Sequence, residues 1–115
     1  MNNLLAEIWR STAELYERFR LLPDRDNTRK VFIEEATELL TAQAQNTPYG
    51  AHGITTETAD VIVTALGICM AAGLTLQDVT DAIQTVITKN DAKTHETHYV
   101  NEAGKITRRV KETGE

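Results

Sequence analysis

The stretch "ETADVIVTALGICMAA", residues 57–72, is apolar on nearly every side when it is wound as an α-helix. A surface helix needs only one apolar face, so a helix of this kind has to be covered by neighbouring elements. Gly73 follows as a natural C-cap residue, and Thr55 and Thr56 precede the stretch as candidate N-caps. We therefore expect this segment to be the central and most buried helix of an all-α fold.

Two helices are predicted before this central one. Apolar residues recur at helical spacing from residue 4 to residue 22, and Pro23 ends the pattern. A second helix is predicted to begin after Asn27 or Thr28 as N-cap and to run to about Gln45. The following residues, "NTPYGAHG", supply a proline and two glycines as helix breakers.

A fourth helix and a short tail are predicted after the central helix. Thr75 and Asp78 form a capping-box pattern, and apolar residues continue at helical spacing to about Asn90. The short connections favour antiparallel packing in a four-helix bundle. In the C-terminal extension, residues 94–115, a turn signal at residues 101–104 predicts a small hairpin or an extended arm.

Length and composition indicate one soluble domain that spans residues 1–115. The chain is 41% hydrophobic and 25% charged, which is ordinary for a globular protein, and its 5% aromatic content argues against an aromatic-rich β-sandwich. A single cysteine, Cys69, excludes an internal disulfide. The N-terminus does not resemble a signal peptide, and the uncharged run Val61–Gln77 is short for a membrane span. We expect a cytoplasmic protein that does not enter a membrane.

Five carboxylates occupy two helix faces. On a helix that advances about 100° per residue, Glu34, Glu35 and Glu38 fall within one arc of the second helix. Glu57 and Asp60 share a face of the first turn of the central helix, because they are three residues apart. Like charges at these spacings repel each other, so the clusters are not explained by helix stability.

The acidic residues lie in a segment without basic side chains. Residues 31–88 contain seven acids and no Lys or Arg, whereas the rest of the chain holds all twelve basic residues. The simpler alternative is that these acids have no ligand: those of the second helix form a solvated face, and Glu57 and Asp60 are stabilised by the dipole at the start of the central helix. Clustered carboxylates are hard oxygen ligands that suit Mg²⁺ or Mn²⁺, while the Cys and His ligands of a zinc site are missing. The pattern favours a divalent-cation site.

The acidic motifs resemble a known group of enzymes. The pattern Glu34-Glu35-x-x-Glu38, followed after 18 residues by Glu57-x-x-Asp60, resembles the all-α nucleoside triphosphate pyrophosphohydrolases. That superfamily includes the MazG-like proteins, the dimeric dUTPases and phosphoribosyl-ATP pyrophosphohydrolase. The resemblance implies an oligomeric four-helix MazG-like bundle, with a site between its second, third and fourth helices.

The resemblance continues beyond the acids and covers roughly residues 28–109. In the superfamily the fourth helix typically ends with an Asn and a Lys that face the phosphates, and "KNDAK" supplies Lys89, Asn90 and Lys93 at the matching place. The stretch "YVNEAGKITR" resembles the C-terminal extension of some MazG-like members. An equally simple interpretation of the two lysines involves no phosphate: the helix dipole favours positive charge at the end of a helix.

The resemblance implies Mg²⁺-dependent hydrolysis of (deoxy)nucleoside triphosphates to a nucleoside monophosphate and pyrophosphate, with Mn²⁺ as a possible substitute. It assigns metal ligation to four acids, water activation to one, and phosphate binding to the end of the fourth helix. The implied metal ligands are Glu35, Glu38, Glu57 and Asp60. The implied water-activating residue is Glu34, and the implied phosphate-binding residues are Lys89, Asn90 and Lys93.

Two alternative functions remain open, and the sequence also indicates which partners to expect. The enzyme could be a substrate-specific relative, acting on dUTP or phosphoribosyl-ATP, or the chain could be a non-catalytic helical module that binds a nucleotide or a metal. A homodimer or homotetramer is expected because the apolar central helix needs cover on every side. Nucleic acid is not expected as a partner, since there is no continuous basic face. The three histidines, His52, His95 and His98, are expected at the surface, and Trp9 and Tyr16 in a core or an interface.

Overall fold

A computed structural model describes residues 3–110, and most of them are helical. The elements, in chain order, are α1 Leu4–Arg18, α2 Arg25–Ala44, α3 Ile54–Ala71, α4 Leu76–Asp91, β1 His98–Val100 and β2 Ile106–Arg108. The strands pair antiparallel as one short hairpin. The predicted class, four helices with a small C-terminal hairpin, is confirmed.

Helix α1 ends earlier than its apolar pattern predicted. The pattern continues to Leu22, but the last helical residue is Arg18 and Phe19 is the C-cap. Arg20 then adopts a left-handed backbone conformation, with φ of 53°, which turns the chain out of the helix. The prediction of a helix to residue 22 was wrong because an apolar side chain beyond the cap still matches helical spacing.

Helix α2 begins earlier than predicted. Its N-cap is Asp24, whose side chain accepts a hydrogen bond from the Asn27 backbone N–H over 2.8 Å, while the Asn27 side chain accepts from the Asp24 backbone over 3.1 Å. This reciprocal capping box replaces the cap predicted at Asn27 or Thr28. Thr28 lies inside the helix, where its buried hydroxyl donates to the Asp24 carbonyl over 2.6 Å.

The start of α3 also corrects a predicted cap. Gly53 is the N-cap, without a side-chain capping bond, and the helix begins at the next residue. The hydroxyls of Thr55 and Thr56 instead donate to the carbonyls of Pro48 and Gly50, over 2.9 and 2.7 Å. Both threonines therefore fasten the α2–α3 loop to the first turn of α3.

Glycine is required at the boundary between the α2–α3 loop and α3. A Cβ atom at Gly53 would collide with the backbone of Tyr49, so only glycine fits this close approach. At the other end of α3, Ala72 is the C-cap and Gly73 has a φ of 78°. The predicted glycine stop is confirmed, because this left-handed conformation favours glycine.

The chain divides into two compact units, Met1–Val79 and Thr80–Glu115, and the boundary lies within α4. In the first unit α1 and α2 both pack against α3, so α3 is central there, as predicted. Its buried residues include Thr64 and Leu66, yet Ile62 and Ile68 are 46% and 39% exposed. The described chain therefore leaves part of α3 uncovered. The single-domain assignment remains a prediction.

The start of α4 agrees with the sequence pattern. The Thr75 backbone N–H donates to the Asp78 carboxylate over 2.8 Å, and the Asp78 N–H donates to the Thr75 hydroxyl over 3.1 Å. The bond from the Thr75 backbone N–H, and then an interaction with the Thr75 side chain, lower the pKa of Asp78, because they favour its charged form. The predicted capping box is confirmed, and the helix ends at Asp91, one residue beyond the expected end.

The second unit contains the remainder of α4 and the hairpin. The turn predicted at residues 101–104 joins β1 to β2: the Asn101 side chain accepts from the backbone N–H groups of Ala103 and Lys105, and Gly104 has a φ of 82°. Of the two predicted alternatives, this segment therefore forms the hairpin and not the extended arm. The end of the predicted C-terminal extension, residues 111–115, lies outside the described residues.

Candidate metal centre

Three carboxylates from two helices meet on the first compact unit. Glu35 of α2 lies beside Glu57 and Asp60 of α3, and one oxygen of each lies within 4.8 Å of the other two. The packing of α2 against α3 brings them together, while the three-residue spacing in α3 places its two acids on one face. Three of the four predicted metal ligands therefore form one group.

Burial makes this group unlike a solvated acidic face. Glu57 is only 3% exposed, and Glu35 is half-buried. The Oε2 atoms of both residues are buried and have no hydrogen-bond partner within residues 3–110. An unpaired buried carboxylate oxygen is costly, and a hard divalent cation is the kind of group that would satisfy both atoms. The residues present fit such a cation.

Glu38, the fourth predicted ligand, acts on the same group from one turn further along α2. Its side chain is exposed, and its carboxylate, close to both Glu35 and Glu57, disfavours the charged form of each. Burial first, and then Glu38 with the other acids, raises the pKa of Glu35 to about 7. The same causes raise the pKa of Glu57, against a smaller opposing effect of His52. Without a nearby positive charge, it is unfavourable for all of these carboxyl groups to be deprotonated at the same time.

The remaining predicted site residues have different surroundings. Glu34, the expected water-activating residue, is exposed on α2 and is not part of the three-carboxylate group. Lys89 and Asn90 lie in the last turn of α4, and Lys93 follows it. These three belong to the second compact unit, where the Lys93 Nζ donates to the Asn90 Oδ1 over 2.9 Å.

The sequence did not indicate a histidine beside the centre. His52 is 94% exposed, as expected of a surface residue, but its Nδ1 lies 3.7 Å from the Glu57 Oε1. The two residues are five positions apart across the start of α3, and only the conformation of the preceding loop brings them together. No spacing rule for metal ligands would have found this pair.

A small cavity adjoins the centre on the same unit. It has a volume of about 200 Å³ and is lined by Glu38, Thr41, Ala42, Gln45, His52 and Glu57. Thr41 lies one turn beyond Glu38 on α2, and Gln45 is the C-cap of that helix, so the cavity follows the acidic face toward the end of α2. A ligand bound at the carboxylates would have polar side chains beside it.

The fold and the carboxylate group define an all-α protein with a site fit for a divalent cation. The family model of phosphoribosyl-ATP pyrophosphohydrolase matches residues 11–87, which is two thirds of the chain. The chain belongs to the phosphoribosyl-ATP pyrophosphohydrolase family, within the superfamily that the acidic motifs resemble. Comparison with curated proteins and with solved structures found no match in either set.

Family membership makes the chain a pyrophosphohydrolase, of a family whose enzymes typically need a divalent metal. The match includes all five acids of the double motif. It begins within α1, earlier than the expected resemblance, and ends before Lys89 and the hairpin. The C-terminal unit is therefore largely outside the matched region.

Helix α3 also meets a simple criterion for crossing a membrane, since Ile54–Ala71 is 18 residues long with a mean hydropathy of 1.4. The core helix of a soluble protein meets the same criterion, and α3 packs against two other helices of its unit. This criterion is weak support for a membrane span.

Proposed function

We propose that the protein is a Mg²⁺- or Mn²⁺-dependent pyrophosphohydrolase that converts (deoxy)nucleoside triphosphates to a nucleoside monophosphate and pyrophosphate. One observation carries the proposal: Glu35, Glu57 and Asp60 converge within 4.8 Å, and two of them have buried, unpaired oxygens. The chain belongs to a family of pyrophosphohydrolases, so this centre is the natural place for the reaction.

The charge of the substrate makes a cation necessary. A triphosphate brings about four negative charges to a group of carboxylates that already repel each other, so a divalent cation is needed between them. Glu35, Glu57 and Asp60, with Glu38 beside them, would hold it. When bound, the cation polarises phosphate oxygens as a Lewis acid and offsets their charge.

The chain's own residues would then position the water. The water oxygen forms a bond to phosphorus, the anhydride bond between the α and β phosphates breaks, and the water loses a proton. We assign the orientation of this water, and acceptance of its proton, to Glu34. The assignment is supported by its position next to Glu35 and by its exposure, which leaves it accessible to solvent water.

Further parts of the proposal concern the phosphates and the assembly. Lys89, Asn90 and Lys93 are proposed to contact phosphate oxygens, because ammonium and amide groups donate hydrogen bonds to them. A homodimer or homotetramer is supported by the exposed apolar side chains, among them Ile62 and Ile68 of α3. The family of soluble enzymes favours a cytoplasmic location.

Phosphoribosyl-ATP is a second candidate substrate, and the matching family model favours it directly. It contains the same kind of anhydride bond, so the carboxylate centre would act on it in the same way. The two candidates differ in what surrounds the triphosphate and not in the chemistry at the centre.

The test is a panel of ribo- and deoxynucleoside triphosphates and phosphoribosyl-ATP, each incubated with Mg²⁺ and analysed by chromatography. We expect equal amounts of monophosphate and pyrophosphate, no product in excess chelator, and no product from Glu57→Gln. Release of inorganic phosphate by the protein, or turnover that persists in chelator, would contradict the proposal. Relative rates across the panel decide between the two substrate classes.

A further inference from the structure

A cavity lies within the C-terminal unit, outside the region that the family model matches. Its volume is about 510 Å³, within the range of roughly 300–1,000 Å³ typical of small-molecule sites. The end of α4 and the hairpin line it together, with Asn90, Lys93, His95, His98, Val100 and Ile106 among the lining residues.

The polar part of this hairpin cavity is basic. Lys93 and two histidines line it, and among residues 3–110 no carboxylate does so. Burial, and then the charges of Lys93 and Arg108, lower the pKa of His98, because each disfavours the protonated imidazole. No ion pair joins Lys93 or Arg108 to a carboxylate within residues 3–110. An anion in the cavity would supply the charge partner that Lys93 lacks among these residues.

The other part of the cavity is apolar, and the strand register explains why. His98 pairs with Arg108, and Val100 pairs with Ile106. Side chains alternate along a strand, so these four residues share one face of the hairpin, with the basic pair at one end and the apolar pair at the other. Arg108 shares this face but does not line the cavity, whereas Tyr99, from the alternate position of β1, also lines it. Val100 and Ile106 are 62% and 58% exposed, so their apolar surface is free to meet a ligand.

We propose that the hairpin cavity binds a nucleoside phosphate, with the phosphate at Lys93 and His98 and the ring against Val100 and Ile106. An anion alone would not use the apolar end, and an apolar ligand alone would leave the basic end uncompensated. Asn90 holds the Lys93 ammonium by a hydrogen bond of 2.9 Å, which limits the positions that this charge can take.

This inference deepens the proposed function and rests on it for the ligand class, because substrate and product are both nucleoside phosphates there. It goes beyond a phosphate contact from α4, since it assigns recognition of the ring to the hairpin. It also predicts binding without a metal, because Lys93 and His98 supply the contacts to the phosphate. That property separates it experimentally from catalysis.

The test is isothermal titration of the full chain in EDTA with a nucleoside monophosphate, the matching free nucleoside and inorganic phosphate. We expect the monophosphate to bind most tightly and to shift the ring resonances of His98 in NMR spectra. Lys93→Ala and His98→Ala should each weaken it about tenfold, the usual scale for a charge-assisted hydrogen bond. Lys105→Ala, in the hairpin turn but outside the cavity lining, is the matched control and should bind normally.

A second pair of variants tests the ring. Ile106→Thr and Val100→Thr keep a β-branched side chain, so the hairpin should persist, and NMR shifts of the strand residues check this. Both should weaken binding of the monophosphate and leave inorganic phosphate unchanged. Equal effects on both ligands would overturn the assignment of the ring to the apolar end.

Variants of the carboxylate centre keep the two proposals distinguishable. Glu57→Gln should abolish turnover with Mg²⁺ and retain binding of the monophosphate in EDTA. Binding lost in Glu57→Gln but normal in Lys93→Ala would place the ligand at the carboxylates and overturn the inference. Absence of monophosphate binding to the wild-type protein at millimolar concentration would also overturn it, whatever the outcome of the turnover assays.

Discussion

Glu57 is nearly fully buried beside other acids, and its position explains why ionisation and folding should be coupled in this protein. A carboxylate that is removed from water and placed near like charges favours its protonated form. Glu35, on the facing helix, shows the same effect strongly enough to raise its pKa to about 7. The metal-free protein therefore carries protons that an extended chain would release.

The first prediction follows from this raised pKa. Between about pH 4.5 and pH 7 the folded protein holds a proton on Glu35 that the unfolded chain has lost. The free energy of unfolding should therefore fall as pH rises through this range and level off above it. Glu35→Gln, which cannot titrate, should gain stability relative to the wild type as pH rises. Urea denaturation in EDTA from pH 5 to pH 8 measures the difference, and a constant difference would contradict the assignment.

The second prediction concerns Glu38 and Asp60. Replacing either with Ala should abolish turnover, because each would hold the cation, and should leave the melting temperature unchanged or slightly higher, because a like charge is removed. Glu17→Ala, on the exposed surface of α1, is a control for charge removal and should retain activity. If Asp60→Ala instead loses its fold together with its activity, a structural role replaces the catalytic one.

The sequence predicted which acids belong together but not how deeply each is buried. The motif spacing places Glu35 and Glu38 on one helix face and Glu57 and Asp60 on another, and this follows from helix geometry alone. The 3% exposure of Glu57 depends on the packing of α2 against α3. The contact of His52 with Glu57 depends on the loop conformation. Neither is encoded in a local pattern.

Among the elements, α3 is held against α1 by a close approach at Gly67. This buried glycine faces the hydroxyl of Tyr16, and a Cβ atom added there would collide with it. Burial of the Tyr16 ring raises the pKa of its phenol, in agreement with a packed position. The expectation that Tyr16 lies in a core or an interface, and not in a base-stacking site, agrees with this contact.

The third prediction tests that contact. Gly67→Ala should lower the free energy of unfolding by about 1–3 kcal/mol, the usual cost of overpacking. Tyr16→Phe removes the colliding hydroxyl, and the next ring atom is 3.4 Å from the added Cβ. The double variant should therefore recover part of the loss. Chemical denaturation of the wild type, both single variants and the double variant gives the coupling energy; purely additive losses would contradict the collision.

The helix boundaries show where local pattern is sufficient. The Thr75–Asp78 capping box was predicted correctly, because both bonds form between residues three apart. The caps of α2 and α3 were predicted wrongly, since Asp24 offered the same chemistry as Asn27, and since Thr55 and Thr56 had carbonyl partners in the loop. Several side chains near a helix start can form the capping hydrogen bond, and each can also bond other backbone groups. Which bonds form depends on the path of the chain before the helix.

At the scale of the whole molecule, apolar surface remains exposed. Large apolar side chains are more than 60% exposed at Leu4, Phe19, Leu22, Leu40, Val100 and Val110. No large side chain within residues 3–110 is fully buried. Apolar surface of this extent is typical of a chain that associates with another copy.

The fourth prediction is that the protein is a dimer or tetramer of its 12.8 kDa chain in solution. Ile62→Glu, at a 46% exposed position of α3, should shift the assembly toward smaller species, because a buried charge in an interface is costly. Gln43→Glu, at an exposed polar position of α2, is the control. Light scattering after size-exclusion chromatography measures the mass; a monomeric wild type at micromolar concentration would contradict the expectation.

The fifth prediction concerns the cation. Mg²⁺ or Mn²⁺ at about one hundred times its dissociation constant should stabilise the folded chain by roughly 2.7 kcal/mol, because it binds only the folded state. The melting temperature should therefore rise on addition of the cation and fall back with EDTA. Glu57→Gln should lose most of this rise, whereas Glu17→Ala should keep it. A rise of equal size in Glu57→Gln would place the cation elsewhere.

The composition of the buried set has a calorimetric consequence. Of the buried residues within the described chain, Thr12, Thr28, Glu57 and Thr64 are polar or charged, while Ala42 and Leu66 are the buried hydrophobic ones. Heat capacity rises on unfolding mainly because apolar surface becomes hydrated, by about 12–15 cal/mol/K per residue in ordinary globular proteins. A lone chain with this core should give a smaller increment and a flatter stability curve. Association would restore the ordinary increment and make the transition temperature depend on protein concentration.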